Sequence, residues 1–135
     1  MVGIMSSRDV LKKLSARKFF LNKVSANRLD IEPKNETVNI SEETHFEIIE
    51  NNSEYLSLRV ITKIFIEPEA LFVIELEHII EYKLQEKITN KEIDDNIEEL
   101  LFPLASEISY ITSFMTQKLI GTHIVLPPKL NIIKD

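Results

Sequence analysis

The most constraining feature of this sequence is one long stretch, residues 100–121, with the apolar period of a helix. Its large apolar residues recur at alternating steps of three and four, which suits a helix and not a strand. They are Leu101, Leu104, Ile108, Ile111 and Met115, and Ile93 and Ile97 continue the series upstream. A chain built on such a helix needs a sheet of its own to cover the stripe.

The opposite face of this stretch lacks the charges that a face in water usually carries. Between Phe102 and Ile120 only Glu107 and Lys118 are charged. Small hydroxyl side chains let a second backbone approach closely, so we expect a partner helix here. The predicted oligomer interface consists of Ser106, Ser109, Tyr110, Ser113, Phe114 and Gln117.

The ends of the helical region are also marked. Thr89 can cap a short first helix together with Glu92, and Pro103 suits the first turn of a second helix. We therefore expect a break and a new start near Phe102. Gly121 fits the left-handed position that follows a helix. These signals predict a broken helix pair over residues 90–120 and an extended tail over residues 121–135.

The region before the helices has the composition of β-strands, from residue 18 to residue 84. Turn residues divide it at 33–36, 51–53 and 67–69, because Pro, Asn and Ser break regular structure. The predicted strands are residues 18–31, 43–50, 55–66 and 71–84. The expected fold is α+β: a four-stranded antiparallel sheet, a meander, packed with a long, broken C-terminal helix pair.

Alternation assigns the two faces of the last two strands. The predicted core face carries Leu56, Leu58, Val60, Ile64 and Ile66, then Phe72, Ile74, Leu76, Ile80 and Leu84. The opposite face mixes charges with large apolar side chains at Tyr55, Ile61, Phe65, Val73 and Ile79. It is either a second core layer, a subunit interface or a surface that holds an extended apolar ligand.

Three carboxylates share that opposite face, at Glu75, Glu77 and Glu81. Like charges in one row repel one another unless a cation covers them. The row is either a solvated face or a docking surface for a basic partner segment.

The N-terminus, residues 1–17, is predicted to hold a short basic amphipathic helix that Ser6 or Ser7 caps and that ends near Ala16. Its stripe of Val10, Leu11 and Leu14 is narrow. A helix packed on the domain is one interpretation, and a helix that docks on a partner or a membrane surface is the other. The sequence contains neither a signal-peptide core nor an apolar run of membrane-spanning length, so we expect no stable membrane insertion.

Length, charge and cysteine content limit the other possibilities. The 135 residues make one domain, 1–135, and the absence of cysteine suits a cytoplasmic location. Residues 1–34 hold eight Lys and Arg against three Asp and Glu, whereas residues 35–135 hold eight against nineteen. An acidic body repels phosphate backbones, so nucleic acid is not an expected partner.

No motif for catalysis or cofactor binding is present. The two glycines, Gly3 and Gly121, cannot form a glycine-rich phosphate loop. The three histidines, His45, His78 and His123, are far apart in the sequence and lack second ligands at metal-binding spacing. We therefore expect no enzyme activity, no cofactor and no metal site.

Three segments in order resemble the SecB family of bacterial protein-export chaperones. Ala70-Leu-Phe-Val-Ile-Glu75 is similar to the family's last strand, and Leu101-Phe-Pro-Leu-Ala-Ser-Glu107 to the start of its long helix. Gly121 and the later Leu126-Pro-Pro128 resemble the segment that follows the long helix in that family. The resemblance covers residues 18–133.

The resemblance implies a homotetramer, a dimer of dimers, in which long helices pack between dimers and strands pair within them. It also implies an ATP-independent holdase that keeps unfolded or precursor polypeptides in solution for Sec-dependent export. Client polypeptides would bind the apolar face of Tyr55, Ile61, Phe65, Val73 and Ile79. The motor protein SecA would dock on Glu75, Glu77 and Glu81.

Two departures from the family pattern bear on the role. Family members usually continue past the prolines into a C-terminal helix, whereas this sequence stops at Asp135, and the basic N-terminal helix is an addition. Both departures fit a SecB-like chaperone dedicated to an antitoxin in a toxin–antitoxin system as well as a general export factor. A non-catalytic adaptor or structural domain of the same fold is the third alternative.

Overall fold

The computed structural model describes residues 10–32, 39–67 and 70–134. Among these residues, Val10 and Leu11 form a helical turn, four strands follow and two helices come last. The strands are β1 (Leu14–Arg28), β2 (Asn39–Asn51), β3 (Tyr55–Glu67) and β4 (Phe72–Leu84), and the helices are α1 (Asn90–Asp95) and α2 (Ile97–Ile120). The predicted fold class, an antiparallel sheet with a broken C-terminal helix pair, is confirmed.

The strand order across the sheet is β1-β4-β3-β2, with every neighbouring pair antiparallel. The meander therefore consists of β2, β3 and β4, and β1 joins it beside β4 instead of β2. The predicted turn between β2 and β3 is present, because the Asn52 side-chain oxygen accepts the backbone N–H groups of Glu54 and Tyr55. The predicted turn at 33–36, and residues 68 and 69 of the turn at 67–69, lie outside the described residues.

The core lies between one face of β3 and β4 and the two helices. The core-face residues predicted for β3 and β4 are all buried, and so is the apolar stripe of the helices from Ile93 to Ile108. Ile111 and Met115, at its far end, are partly buried. Burying one such side chain contributes about 1.5–3 kcal/mol. The sheet and the helices thus form two layers around one core.

The first strand begins four residues earlier than predicted. Val10 and Leu11 lie in a helical turn, but Leu14 already pairs with Leu84 of β4, so the predicted helix does not reach Ala16. Ladder hydrogen bonds and burial of Leu14 outweigh the weak helical preference of the segment. Residues 1–9, where the predicted helix begins, are outside the described part of the chain.

A β-bulge in β1 changes which residues face the core. Leu21 pairs with His78 and Lys23 with Glu77, so Asn22 has no partner across the ladder. A bulge shifts the alternation by one residue. Phe19 before the bulge and Val24 after it therefore share the core face, although strict alternation would have put Val24 on the same face as Phe20.

The helix break lies at Asn96, between α1 and α2, and not near Phe102. Thr89 and Glu92 form the predicted capping box at the start of α1. Gly121 ends α2 with a φ of 77°, as predicted. Pro103, however, lies within α2. A proline there forfeits one backbone hydrogen bond, but burial of the stripe on either side of it keeps the helix continuous.

Candidate functional site

The outer face of the sheet, opposite the helices, carries the five predicted apolar binding residues. Tyr55 is 45% exposed and Ile61 is 39% exposed, while Phe65 and Val73 are half-buried and lie opposite each other in the ladder. Ile79 is buried, at 8% exposure. The structure thus brings all five to one face but leaves Ile79 inaccessible to a ligand, contrary to the prediction.

A sixth apolar residue of this face, Phe20, was missed in the sequence. It is 45% exposed and lies opposite Ile79, which has Arg59 on its other side. These two neighbours account for the burial of Ile79. The alternation of Phe19 and Phe20 was visible in the sequence, but only the pairing of β1 with β4 places Phe20 beside the other five residues.

The three predicted acidic residues also lie on the outer face, where cations of neighbouring strands accompany them. Lys18 on β1 is 3.3 Å from Glu81, and Arg59 on β3 is 3.5 Å from Glu77. Glu75 lies opposite Lys63 in the ladder. Surface ion pairs of this kind contribute at most about 1 kcal/mol, but they neutralise much of the row's charge.

The polar face of α2 is partly covered by the chain's own exit segment, residues 122–126. The Ser109 hydroxyl donates to Leu126 O at 2.9 Å, and the Thr116 hydroxyl accepts the Ile124 N–H at 2.9 Å. The Ser113 hydroxyl is 3.2 Å from His123 Nδ1. Two of the six predicted interface residues, Ser109 and Ser113, therefore contact the exit segment.

A second line of α2 residues remains uncovered within the described chain. Phe102, Ser106, Tyr110 and Phe114 follow one another at steps of four, and we call this line the aromatic ridge. Phe102 is 66% exposed, Tyr110 is 71% exposed and Phe114 is 50% exposed. Gln117, the sixth predicted interface residue, is half-buried beside it. Lines of residues at this spacing are the ridges through which helices pack on each other.

The tail returns to the sheet and pairs with the edge of β2. Thr44 N–H donates to Asn131 O at 2.9 Å, and Ile133 N–H donates to Thr44 O at 2.8 Å, which makes a parallel bridge between Thr44 and Ile132. The Glu42 carboxylate accepts Asn131 N–H at 3.0 Å. We call residues 130–133 the tail strand.

Burial raises the pKa of Glu42, although hydrogen bonds from Asn131 and Thr44 act in the opposite direction. Glu43 beside it adds to the increase. A carboxylate at the tail strand is therefore held in surroundings that favour its neutral form.

An apolar cleft of about 260 Å³ lies between the tail strand and the first half of α2. Phe102, Ala105, Leu130 and Ile132 supply its apolar walls, and Glu98 stands at its edge. Because Leu130 and Ile132 are only partly buried, the tail strand fills one side of the cleft and leaves the rest open. We call this space the Phe102 cleft.

Two polar contacts fasten α2 to the middle of the sheet. His78 Nε2 is 2.6 Å from Glu107 Oε2, and the Tyr82 hydroxyl donates to Leu100 O. Burial raises the pKa of Tyr82 to about 12, so the hydroxyl stays protonated as a donor. The helix that carries the aromatic ridge is thereby held in one position on β4.

The described residues contain no group of three His, Asp or Glu side chains placed to share a metal ion. Over the same residues, neither helix has the length and hydropathy needed to cross a bilayer.

No family model and no curated protein matches the sequence. Solved structures do match the fold. A SecB-like chaperone of Mycobacterium tuberculosis, solved in complex with a ChAD peptide from the HigA1 antitoxin, superposes with a TM-score of 0.74 over 90% of this chain and 94% of its own, at 12% identity. The fold is SecB-like.

A second solved structure, a Streptococcus agalactiae protein of unknown function, covers 83% of this chain and 95% of its own with a TM-score of 0.56 and 19% identity. At such identities the likeness establishes the fold alone. It confirms the predicted fold, a four-stranded antiparallel sheet with C-terminal helices.

Proposed function

We propose that this SecB-like protein is an ATP-independent chaperone that binds unfolded polypeptides and keeps them from aggregating. The observation that carries the proposal is the SecB-like fold, whose structural neighbour holds an antitoxin peptide. The exposed apolar side chains of the outer face, Phe20, Tyr55 and Ile61, support it, because each can pack against an apolar group of an unfolded client. No catalytic step is part of the proposal.

The outer face suits many weak contacts better than one tight site. Burial of one exposed apolar side chain contributes about 1.5–3 kcal/mol, and ordering an unfolded segment offsets much of that gain. Tyr55, Ile61 and Phe20 are separated by charged residues, so a client would contact them one by one along an extended segment. Release then requires only dissociation, without nucleotide hydrolysis.

The first candidate client is an antitoxin, and the chaperone would be dedicated to it. The antitoxin peptide bound to the M. tuberculosis neighbour supports this candidate. A toxin gene and an antitoxin gene beside the gene for this protein would be expected.

The second candidate is a set of precursor proteins destined for Sec-dependent export, with SecA docking on Glu75, Glu77 and Glu81. The position of all three on one face supports docking of a basic segment. Glu81 and Glu77 already pair with Lys18 and Arg59, so a partner would have to compete with these cations. Binding of SecA at low salt, weakened in Glu75→Lys, would favour this candidate.

The assembly proposed with this function is a cytoplasmic homotetramer, a dimer of dimers. The aromatic ridge supports a helix interface between dimers, because Tyr110 and Phe114 are exposed on it. The outer edge of β1 supports strand pairing within a dimer, since no described strand lies beyond it. A long unpaired strand edge is a template on which a strand of another chain can pair.

Suppression of aggregation tests the proposed function. The protein should slow aggregation of several refolding proteins at a near-stoichiometric ratio without nucleotide, and a variant with Tyr55→Asp and Ile61→Asp should do so less well. Val125→Asp, which changes an exposed apolar residue of the exit segment, is the control and should match the wild type. Failure of the wild type on every unfolded protein, including a neighbouring antitoxin, would refute the proposal.

A further inference from the structure

The edge of β2 is a place where a strand can be added to the sheet, and the chain's own tail strand shows how. Thr44 offers both its N–H and its C=O outward, and Asn131 and Ile133 bond to them in parallel orientation. Strand addition at an open edge is a common way to recognise an extended polypeptide, because backbone hydrogen bonds tolerate many sequences.

The tail strand is held by few contacts. The edge contributes the two backbone hydrogen bonds of Thr44. Glu42 accepts two more from Asn131, one at its carboxylate from the backbone N–H and one at its carbonyl oxygen from the side-chain amide. Leu130 and Ile132 are only partly buried in the Phe102 cleft. A segment held in this way exchanges with its open state more readily than the central strands do.

We propose that the tail strand is a displaceable occupant of this edge, and that an extended segment of a client polypeptide takes its place parallel to β2. The proposal rests on the proposed function and locates one part of the client site. The client would place two apolar side chains, two residues apart, where Leu130 and Ile132 now lie. Its intervening backbone N–H would donate to the Glu42 carboxylate, as that of Asn131 does.

The Phe102 cleft adds a reason for a client to prefer this edge. The Phe102 side chain forms one wall of the cleft and is 66% exposed, and the cleft beside Ile132 has an open volume of about 260 Å³. An apolar side chain larger than Ile132 could fill this space, so a client segment can gain contacts that the tail strand does not make. The tail strand then acts as an internal competitor, and it sets how strongly a segment must bind to displace it.

A reversible cross-link tests this directly, because the chain contains no cysteine of its own. Thr44 and Ile132 are bridge partners on neighbouring strands, roughly 5 Å apart, which suits a disulfide. The probe is reduced, carboxymethylated α-lactalbumin, which stays unfolded without denaturant. In the Thr44→Cys, Ile132→Cys variant, oxidation should weaken probe binding at least roughly tenfold, and reduction should restore the wild-type Kd.

A second variant acts in the opposite direction and does not depend on disulfide formation. Asn131→Ala removes the side-chain bond to Glu42 O and should tighten probe binding about threefold, as the open state gains population. Asn27→Ala is the matched control, since Asn27 is an exposed asparagine of β1 whose side chain donates to nearby Ser25. It should leave the Kd unchanged.

The outcomes separate this proposal from the proposed function. If the wild type binds the probe but oxidation and Asn131→Ala both leave the Kd unchanged, displacement of the tail strand is wrong and the chaperone function stands. If oxidation changes the oligomer mass but not the Kd, the tail strand exchanges between copies of this chain, and the client proposal is again wrong. If neither the wild type nor the reduced variant binds any unfolded probe, both proposals fail.

Discussion

The fully buried imidazole of His78 lies with its Nε2 2.6 Å from Glu107 Oε2, and this contact joins the central strand β4 to α2. Its other nitrogen, Nδ1, is buried without a hydrogen-bond partner among the described residues. Protonation would turn that nitrogen into a buried donor with nothing to receive its hydrogen, which is costly. Burial accordingly lowers the pKa of His78, more strongly than Glu107 raises it.

The first prediction is a loss of stability in mild acid. The pKa of His78 is below its ordinary value of 6.5 in the folded chain, so the unfolded chain binds the proton first as the pH falls. The contribution of neutral His78 to the free energy of unfolding is complete above the ordinary pKa of 6.5. It is lost as the pH falls from there through the lowered pKa of the folded chain. Between about pH 7 and pH 5, urea unfolding should show the wild type losing more free energy of unfolding than His78→Gln does. Equal losses in the two proteins would contradict this role for His78.

The second prediction concerns Glu42, whose pKa shift has the opposite sign. Burial raises its pKa above 4.5, so its stabilising contribution is present below the unfolded pKa and is lost as the pH rises through the folded one. At neutral pH the charge on this half-buried carboxylate destabilises the fold. Glu42→Gln should therefore raise the free energy of unfolding while keeping an acceptor for Asn131. The gain should shrink in acid. Glu43→Gln serves as the neighbouring control, and an equal gain there would assign the effect to net charge alone.

The third prediction concerns Pro103 inside α2. Pro103→Ala restores a backbone N–H that can donate to Glu99 O, and a proline within a helix costs about 3 kcal/mol relative to alanine. Because Pro103 is partly buried and its packing is lost, we expect a net stabilisation of about 1–3 kcal/mol in urea unfolding. Pro127→Ala, in the exposed tail, should change stability by less than about 0.5 kcal/mol. Destabilisation by Pro103→Ala would mean that the proline has a packing role larger than its backbone cost.

The fourth prediction concerns assembly through the aromatic ridge. Tyr110 is 71% exposed in the single chain, so Tyr110→Glu should leave its fold intact. In an interface the new carboxylate would be desolvated without a partner, and the oligomer should dissociate. Light scattering should give the wild type about four times the 15.7 kDa chain mass and the variant a smaller mass. Thr122→Glu, exposed beyond the helix end, is the control; a wild-type monomer would refute the interface.

The local parts of the fold could be predicted from the sequence. The alternation in β3 and β4 determines their core faces because each side chain's direction depends only on its neighbours in the strand. The capping box of Thr89 and Glu92 and the left-handed Gly121 are likewise properties of single helix ends. These predictions needed no knowledge of what lies across the core.

The errors came from contacts between distant residues. The position of Asn96 as the break, with Pro103 inside α2, depends on burial of Leu100 and Leu104 against the sheet. The place of β1 beside β4 depends on pairing across more than forty residues of sequence. The apolar pattern within a strand does not show which other strand it pairs with. For this reason the sequence did not place Phe20 on the outer face.

The candidate sites were predictable to a similar extent. Alternation placed Tyr55 and Ile61 together, but the burial of Ile79 depends on Phe20 and Arg59 from other strands. The uncharged face of α2 was visible in the sequence. The sequence did not show that the exit segment covers one part of this face, through the bond from Ser109 to Leu126, and leaves the aromatic ridge exposed. Apart from the prolines that precede it, nothing in the sequence indicated that the tail strand pairs with β2.

The central claim, that this SecB-like protein binds polypeptides because they are unfolded, is tested most directly by comparing two forms of one protein. Calorimetry without nucleotide should show that reduced, carboxymethylated α-lactalbumin binds with a Kd of about micromolar or tighter, while native α-lactalbumin gives no heat of binding. The unfolded form exposes apolar segments and free backbone groups that the native form buries, and the outer face and the β2 edge can contact only the former. Equal binding of the two forms, or binding of neither, would contradict the account.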